Sequence, residues 1–141
     1  MNKLTAKQEQ YLLMLRGAQG LDRTLVGLAT YFEVSKPSAF HIVENLIKEN
    51  MVKRKEDKDI VLTPTGKQYI EEKYQQWLFF SKWMEGNLGM VSLQAEKEAR
   101  RLVTALEEET LTAMVDRMHK DTVARDAVQT QDFQEMKLLI M

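Results

Sequence analysis

The sequence predicts a mainly α fold, an N-terminal winged helix-turn-helix (three helices plus a two-stranded wing) followed by an α-helical dimerisation domain, from three observations. Apolar residues recur at helical spacing along most of the 141 residues. Two short β-prone runs, Met51 to Arg54 and Ile60 to Leu62, interrupt that pattern around the polar turn KEDKD. Three short helix signals precede this hairpin and longer amphipathic stretches follow it. The predicted division is 1–63 for the winged module and 64–141 for the helical one.

The elements follow from caps and periodicity. Thr5 caps a first helix whose apolar stripe is Tyr11, Leu12 and Leu15, with Gly17 to Gly20 as its stop. A second helix from about Thr24 to Glu33 spaces Leu25, Leu28, Ala29 and Phe32 three and four apart, and small Ala29 allows close helix approach. Val34 closes the turn into the core. Ser35 caps the third helix, Pro37 fits its first turn, and Ala39, Ile42, Val43 and Leu46 form its inner face. After the wing, Thr63 caps a helix with Pro64 in first position, which carries Tyr69, Ile70, Tyr74, Trp77, Leu78, Phe80, Ser81 and Met84 until Gly89 ends it. Ser92 caps a fifth helix with the stripe Ala95, Ala99, Leu102, Val103 and Leu106. Leu111, Met114, Val115 and Met118 repeat that pattern, and a final segment from about Asp132 offers Phe133, Met136, Leu139 and Ile140. With no sheet nearby to cover these stripes, a twofold partner is expected, so the chain should be a homodimer.

Composition removes several function classes. There is no cysteine, hence no disulfide framework, thiolate metal site or thiol nucleophile. No uncharged apolar stretch reaches the ~18 residues of a membrane span, and MNKLTAKQEQ lacks a signal-peptide core, so a soluble, cytoplasmic protein with no membrane partner is expected. An enzyme is not expected and no catalytic residue is assigned, since the chain has no Gly-rich phosphate loop, no nucleophile elbow and only two distant histidines. The formal net charge of −1 hides a mild asymmetry: residues 1–62 carry ten Lys or Arg against eight Asp or Glu, and 63–141 carry ten against thirteen. The positive half is the one with the winged module, the sign that double-stranded DNA as a partner requires.

With Ala39, Ile42, Val43 and Leu46 turned inward, the third helix presents Pro37, Ser38, His41, Glu44 and Lys48 outward, flanked by Phe40 and Asn45. Ser35, Lys36, Pro37, Ser38, Phe40, His41 and Asn45 are therefore the candidate DNA-reading residues of this helix. Ser38 and His41 have hydrogen-bonding groups for bases or phosphates, Phe40 has an apolar face for a thymine methyl, and Lys36 donates to phosphate or guanine. The structural alternative makes His41 a solvated helix residue and Phe40 a cover for the wing. On the wing, Lys53, Arg54, Lys55 and Lys58 are candidate phosphate contacts, and strand alternation sends Lys53 and Lys55 to one face and Arg54 to the other. Trp77, Phe79, Phe80 and Trp83 are either core or dimer interface, or the lining of a small-molecule pocket between the winged and assembly modules, and the nine methionines suit plastic packing.

The succession LTAKQEQYLLML, LATYFEVSKPSAFHIVENLIKENMV, a short wing and IVLTPTGKQYIEE, with helices after it, resembles the metal-dependent repressors of the diphtheria toxin repressor and manganese transport regulator family, in their short form without an SH3-like domain. The resemblance covers roughly Leu4 to Met118. VSKPSAF and LTPTG are shared with MarR-type regulators, but those place dimer-forming helix on both sides of the winged module. The resemblance implies a divalent cation joining the first helix to the assembly helices, through an acid pair in helix one, a histidine in helix four and a Glu-x-x-Glu-His group in helix five. Gapless placement puts those positions on Lys7 and Gln10, near Gln76 to Leu78, and on Arg100, Val103 and Thr104. No metal ligand is assigned, because a lysine and an arginine repel a dication. Glu107 to Glu109, and Asp116 with His119, are candidates for a relocated site. A salt bridge from Lys7 to a helix-five carboxylate is a further expectation, replacing the cation by a fixed link.

The reading that follows is a homodimeric transcription regulator, a repressor on a pseudo-palindromic operator, not controlled by metal at the family position and with no cofactor assigned. The alternatives are a manganese- or iron-dependent repressor with displaced ligands, and a winged-helix protein-interaction adaptor.

Overall fold

In the computed structural model of the protein, residues 3–17 and 22–140 are described, and of 128–134, 137 and 140 only the backbone. The chain runs α1 (Ala6–Gly17), α2 (Leu25–Tyr31), α3 (Lys36–Lys48), β1 (Val52–Arg54), β2 (Ile60–Leu62), α4 (Pro64–Leu88), α5 (Ser92–Ala105) and α6 (Glu108–Ile140). It divides into two compact units, through Ala105 and from Leu106 onward.

α1 opens with a reciprocal capping box: the Gln8 amide donates to Thr5 Oγ1 at 3.2 Å, and the Thr5 amide donates to Gln8 Oε1 at 2.8 Å. The expected stripe of Tyr11, Leu12 and Leu15 is widened, because Leu13 and Met14 are buried too. α1 packs against α4, α5, β2 and α3, so none of Tyr11 to Leu15 faces solvent. Even Glu9 is buried, with Tyr69 Oη donating to its carboxylate at 3.0 Å. The stop expected over Gly17 to Gly20 falls, from residue 18 on, outside the described residues.

Ser35 caps α3 as expected, accepting from the Ser38 amide at 3.2 Å, and Thr24, expected only as the start of α2, proves to be its cap, accepting from the Gly27 amide at 3.1 Å. α2 ends before the expected Glu33, which takes a left-handed φ of 55°. The turn then closes through the Val34 amide, which donates to the Ala29 carbonyl at 3.0 Å. β1 and β2 pair antiparallel with Val52 opposite Leu62, Lys53 opposite Val61 and Arg54 opposite Ile60. The Ile60 amide also donates to the Arg23 carbonyl at 2.8 Å, tying the wing to the segment ahead of α2.

The LTPTG segment joins wing to body. Thr63 Oγ1 accepts from the Gly66 amide at 3.0 Å and donates to the Asn50 carbonyl at 2.6 Å. A side chain at Gly66 would run into the Met51 carbonyl, so glycine is needed for the backbones to approach. α4 is one helix, Pro64–Leu88, and the left-handed φ of 67° at Gly89 ends it. α5 folds back along it on Ala95 and Ala99, held by Trp77 Nε1 donating to the Glu96 carbonyl at 2.8 Å and Lys73 Nζ to the Val103 carbonyl at 3.1 Å. Ser92 is not the cap expected: it is the first helical residue, and its hydroxyl donates to the Glu85 carboxylate.

The second unit is α6. The sequence separates a stripe ending at Met118 from a segment starting near Asp132, whereas the structure has one continuous helix. Nothing between them breaks it, since residues 119–131 contain neither Gly nor Pro. Val123, Met136, Leu138 and Leu139 are exposed along it, and the side chains of Phe133 and Ile140 lie outside the described residues. Among the described residues no helix is long and apolar enough to cross a membrane.

Two glycines of α4 give opposite expectations in denaturant unfolding. Gly66→Ala should lower stability by about 1–3 kcal/mol, as overpacking does. Gly86→Ala, where an added Cβ meets nothing within 4 Å, should raise it by up to about 1 kcal/mol through helix propensity.

Candidate nucleic-acid interface

The structure brings the α3 candidates together on one outward face. Ala39, Val43 and Leu46 are buried and Ile42 is half-buried, leaving Ser35, Lys36, Pro37, Ser38, Phe40 and His41 exposed. Ser35 spends its hydroxyl on the cap and on Ser38, donating to Ser38 Oγ at 2.9 Å, so both serines are held in place at the helix start. Asn45 is half-buried one turn below His41, its amide nitrogen 3.4 Å from His41 Nε2. Phe40 remains 48 % exposed.

The wing splits as alternation predicts. Arg54 turns toward α3, pairs with Glu44 at 2.6 Å and lies 5.7 Å from the centre of the Phe40 ring. Its charge is thereby matched by a carboxylate, and Phe40 is braced from the wing side without being covered. Lys53 and Lys55 take the other face, and Lys58 sits exposed in the turn with a left-handed φ of 71°. Lys55 also approaches Asp57 at 4.0 Å.

Three cations that the sequence did not single out join Lys53 and Lys55. Arg16 at the end of α1, Arg23 ahead of α2 and Lys67 in the first turn of α4 line an open groove of about 530 Å³ with them. Arg16 is bound by Glu71 through two bonds of 2.9 and 3.3 Å and lies 4.3 Å from the Tyr74 ring centre. That guanidinium holds the Glu71 carboxyl below its ordinary pKa. Only the tertiary fold brings these residues together, so no local spacing marks them.

The positions where the family resemblance implies a cation are occupied by other chemistry. Gln10 Nε2 donates to Thr104 Oγ1 at 3.2 Å, and Thr104 Oγ1 donates to the Arg100 carbonyl at 2.9 Å. Arg100 is buried, its Nη1 donating to Tyr31 Oη at 2.8 Å and contacting Met14 Sδ at 3.1 Å. A guanidinium and two neutral hydrogen-bonding side chains do not fit a divalent cation. The expected Lys7 salt bridge is absent: Lys7 is exposed with no ion pair among the described residues, and Gln10 and Arg100 link α1 to α5 instead. Glu107 to Glu109, Asp116 and His119 are exposed, and no group of three or more His, Asp or Glu among the described residues is placed to hold a metal. Of the aromatic cluster, Trp77 and Phe80 are buried, and Trp77 lines a cavity of about 500 Å³ with Tyr74 and Tyr31.

No protein-family model and no curated protein matches the sequence. Solved structures do match. The hypothetical protein SSo2273 from Sulfolobus solfataricus has 18% identity and a TM-score of 0.52, over 83% of this chain and 91% of that one. T. acidophilum IdeR has 19% identity and a TM-score of 0.63, over 84% and 56%. The metal-dependent transcriptional regulator MtsR has 18% identity and a TM-score of 0.64, over 83% and 55%. The chain thus spans just over half the length of IdeR and MtsR. At these identities the likeness is one of fold, and the chain carries the winged-helix fold of the regulators that its sequence resembles.

Proposed function

We propose that this chain is a DNA-binding transcription regulator, a homodimeric repressor that reads a pseudo-palindromic operator with the N-terminal half of α3 and grips flanking phosphate with the wing. The observation that carries the reading is the exposed surface of Ser38, Phe40 and His41 beside the unburied lysines of the wing. An α-helix fits the major groove, and side chains in its first turns reach base edges. The groove lined by Lys53, Lys55, Lys67, Arg16 and Arg23 extends the positive surface behind the wing. Residues 1–63 are the reading module and 64–141 the assembly module in this account. Assembly is supported by the exposed apolar residues of α6, which a second copy would cover. DNA binding independent of metal is supported by the Arg100, Gln10 and Thr104 chemistry described above.

An operator selected from random duplexes tests the reading. Affinity should fall by roughly 10³ to 10⁵ between 50 and 200 mM salt if the dimer neutralises about six to ten phosphates. His41→Ala should cost about 1–3 kcal/mol and relax preference at a single base position per half-site, whereas Lys55→Ala should weaken all sequences alike and reduce the salt slope by about 1 per protomer. Weak, salt-insensitive binding without sequence preference would point instead to a protein-interaction adaptor.

Operator affinity in excess chelator should equal that with added manganese. A tenfold or larger gain on adding manganese, about 1.4 kcal/mol of coupling, would sink metal independence and leave DNA binding intact.

A further inference from the structure

We propose that the cleft between the end of α2 and the outer face of α5 is a binding site for a small organic anion, a carboxylate or phosphate monoester on a flat apolar body, with Arg100 as its anchor. Arg100 is 7% exposed, and every partner of its side chain is neutral: the Tyr31 hydroxyl, the Met14 sulfur and the faces of Tyr31 and Phe32, whose centres lie 5.3 and 5.5 Å from the guanidinium carbon. Its Nε is buried with no hydrogen-bond partner. No carboxylate among the described residues pairs with it, although a charge taken out of water is ordinarily met by an opposite one.

The cleft around it, about 430 Å³, is lined by two further cations, Lys97 and Arg101, and by a single carboxylate, Glu33. Arg101 leans 3.8 Å from Glu98 but is mostly solvated, so the cleft stays positive. Tyr31 and Phe32 meet edge to face at 5.1 Å and supply aromatic walls, and Phe32 is backed by Tyr11 stacked at 4.2 Å. Tyr31 and Leu93 also line the neighbouring cavity with Trp77, which offers apolar surface beyond the charged end. A pocket of this size with convergent polar groups suits a one-ring ligand. The fork of a guanidinium matches the two oxygens of a carboxylate or phosphate, which an ammonium does not.

The ligand would contact α2, one of the three helices of the reading module, and α5 at once, so its binding would bias the angle between them. Only this effect on DNA affinity rests on the proposed DNA-binding function. Binding itself is read without DNA.

Calorimetry on the full chain with benzoate, phenyl phosphate, inorganic phosphate and benzylamine tests the site. Saturable binding of benzoate or phenyl phosphate is expected, with the tighter of the two naming the headgroup. Binding should weaken about 10-fold or more in Lys97→Gln/Arg101→Gln, whose exposed positions leave folding intact, and recover in Lys97→Arg/Arg101→Lys. Arg100→Gln should abolish it if the variant folds. The proposal is overturned if neither organic anion binds saturably, if the Lys97→Gln/Arg101→Gln variant binds as well as the parent, or if benzylamine or inorganic phosphate competes equally. A regulator that binds these anions but no DNA would refute the function and leave the site standing.

Discussion

The burial of α1 on nearly every side is the constraint on which the first compact unit depends. From Tyr11 to Leu15 five consecutive side chains are out of water, so α1 must be surrounded, and α3, β2, α4 and α5 each take part of it. A helical segment apolar all round has no stable exposed state, and Tyr11 to Leu15 force the winged module and the first two body helices to share one core. α1 therefore belongs to both the proposed reading module and the body that carries it. The wing is brought into the same core by Leu62 and Ile60, and the Thr63 to Gly66 clamp fixes where α4 departs.

Side chains make the cross-links on this core. Gln10 to Thr104 is a neutral hydrogen bond of the kind that contributes about 0.5–1.5 kcal/mol net. Arg100 adds bonds to Met14 and Tyr31 and two aromatic faces, the latter contributing up to about 2 kcal/mol when desolvated. These are small against the ~10 kcal/mol or more of a structural metal site, yet they are permanent features of the chain rather than a function of ion concentration. In the proposed account the geometry of the reading module is built in, and any control acts through the positive cleft beside Arg100.

Much of this was legible in the residues. The caps Thr5, Ser35 and Thr63, the terminator Gly89 and the β-prone runs around KEDKD mark local hydrogen-bonding needs, which spacing reports directly. The outward set on α3 follows from one helical period. Other features depend on partners distant in sequence. YLLML reads as a stripe with extra apolar residues because periodicity cannot show that a helix is covered on all sides. Ser92 reads as a cap until Glu85, seven residues earlier, takes its hydroxyl. The absence of a breaker was the signal for a continuous α6. Arg100, which reads as the reason a metal is excluded, proves to be a buried link because Tyr31 and Met14 come to it from 69 and 86 residues away.

Hydrogen exchange on the metal-free chain tests the central claim most directly, that the winged module and α4–α5 are held as one body by their own side chains. The account predicts that the amides of α1 and α5 exchange with matching high protection, and that neither this nor the protection of α2 and α3 changes when manganese is added to saturating concentration. Low protection of α1 to α3 in chelator, rising selectively with manganese, would contradict it.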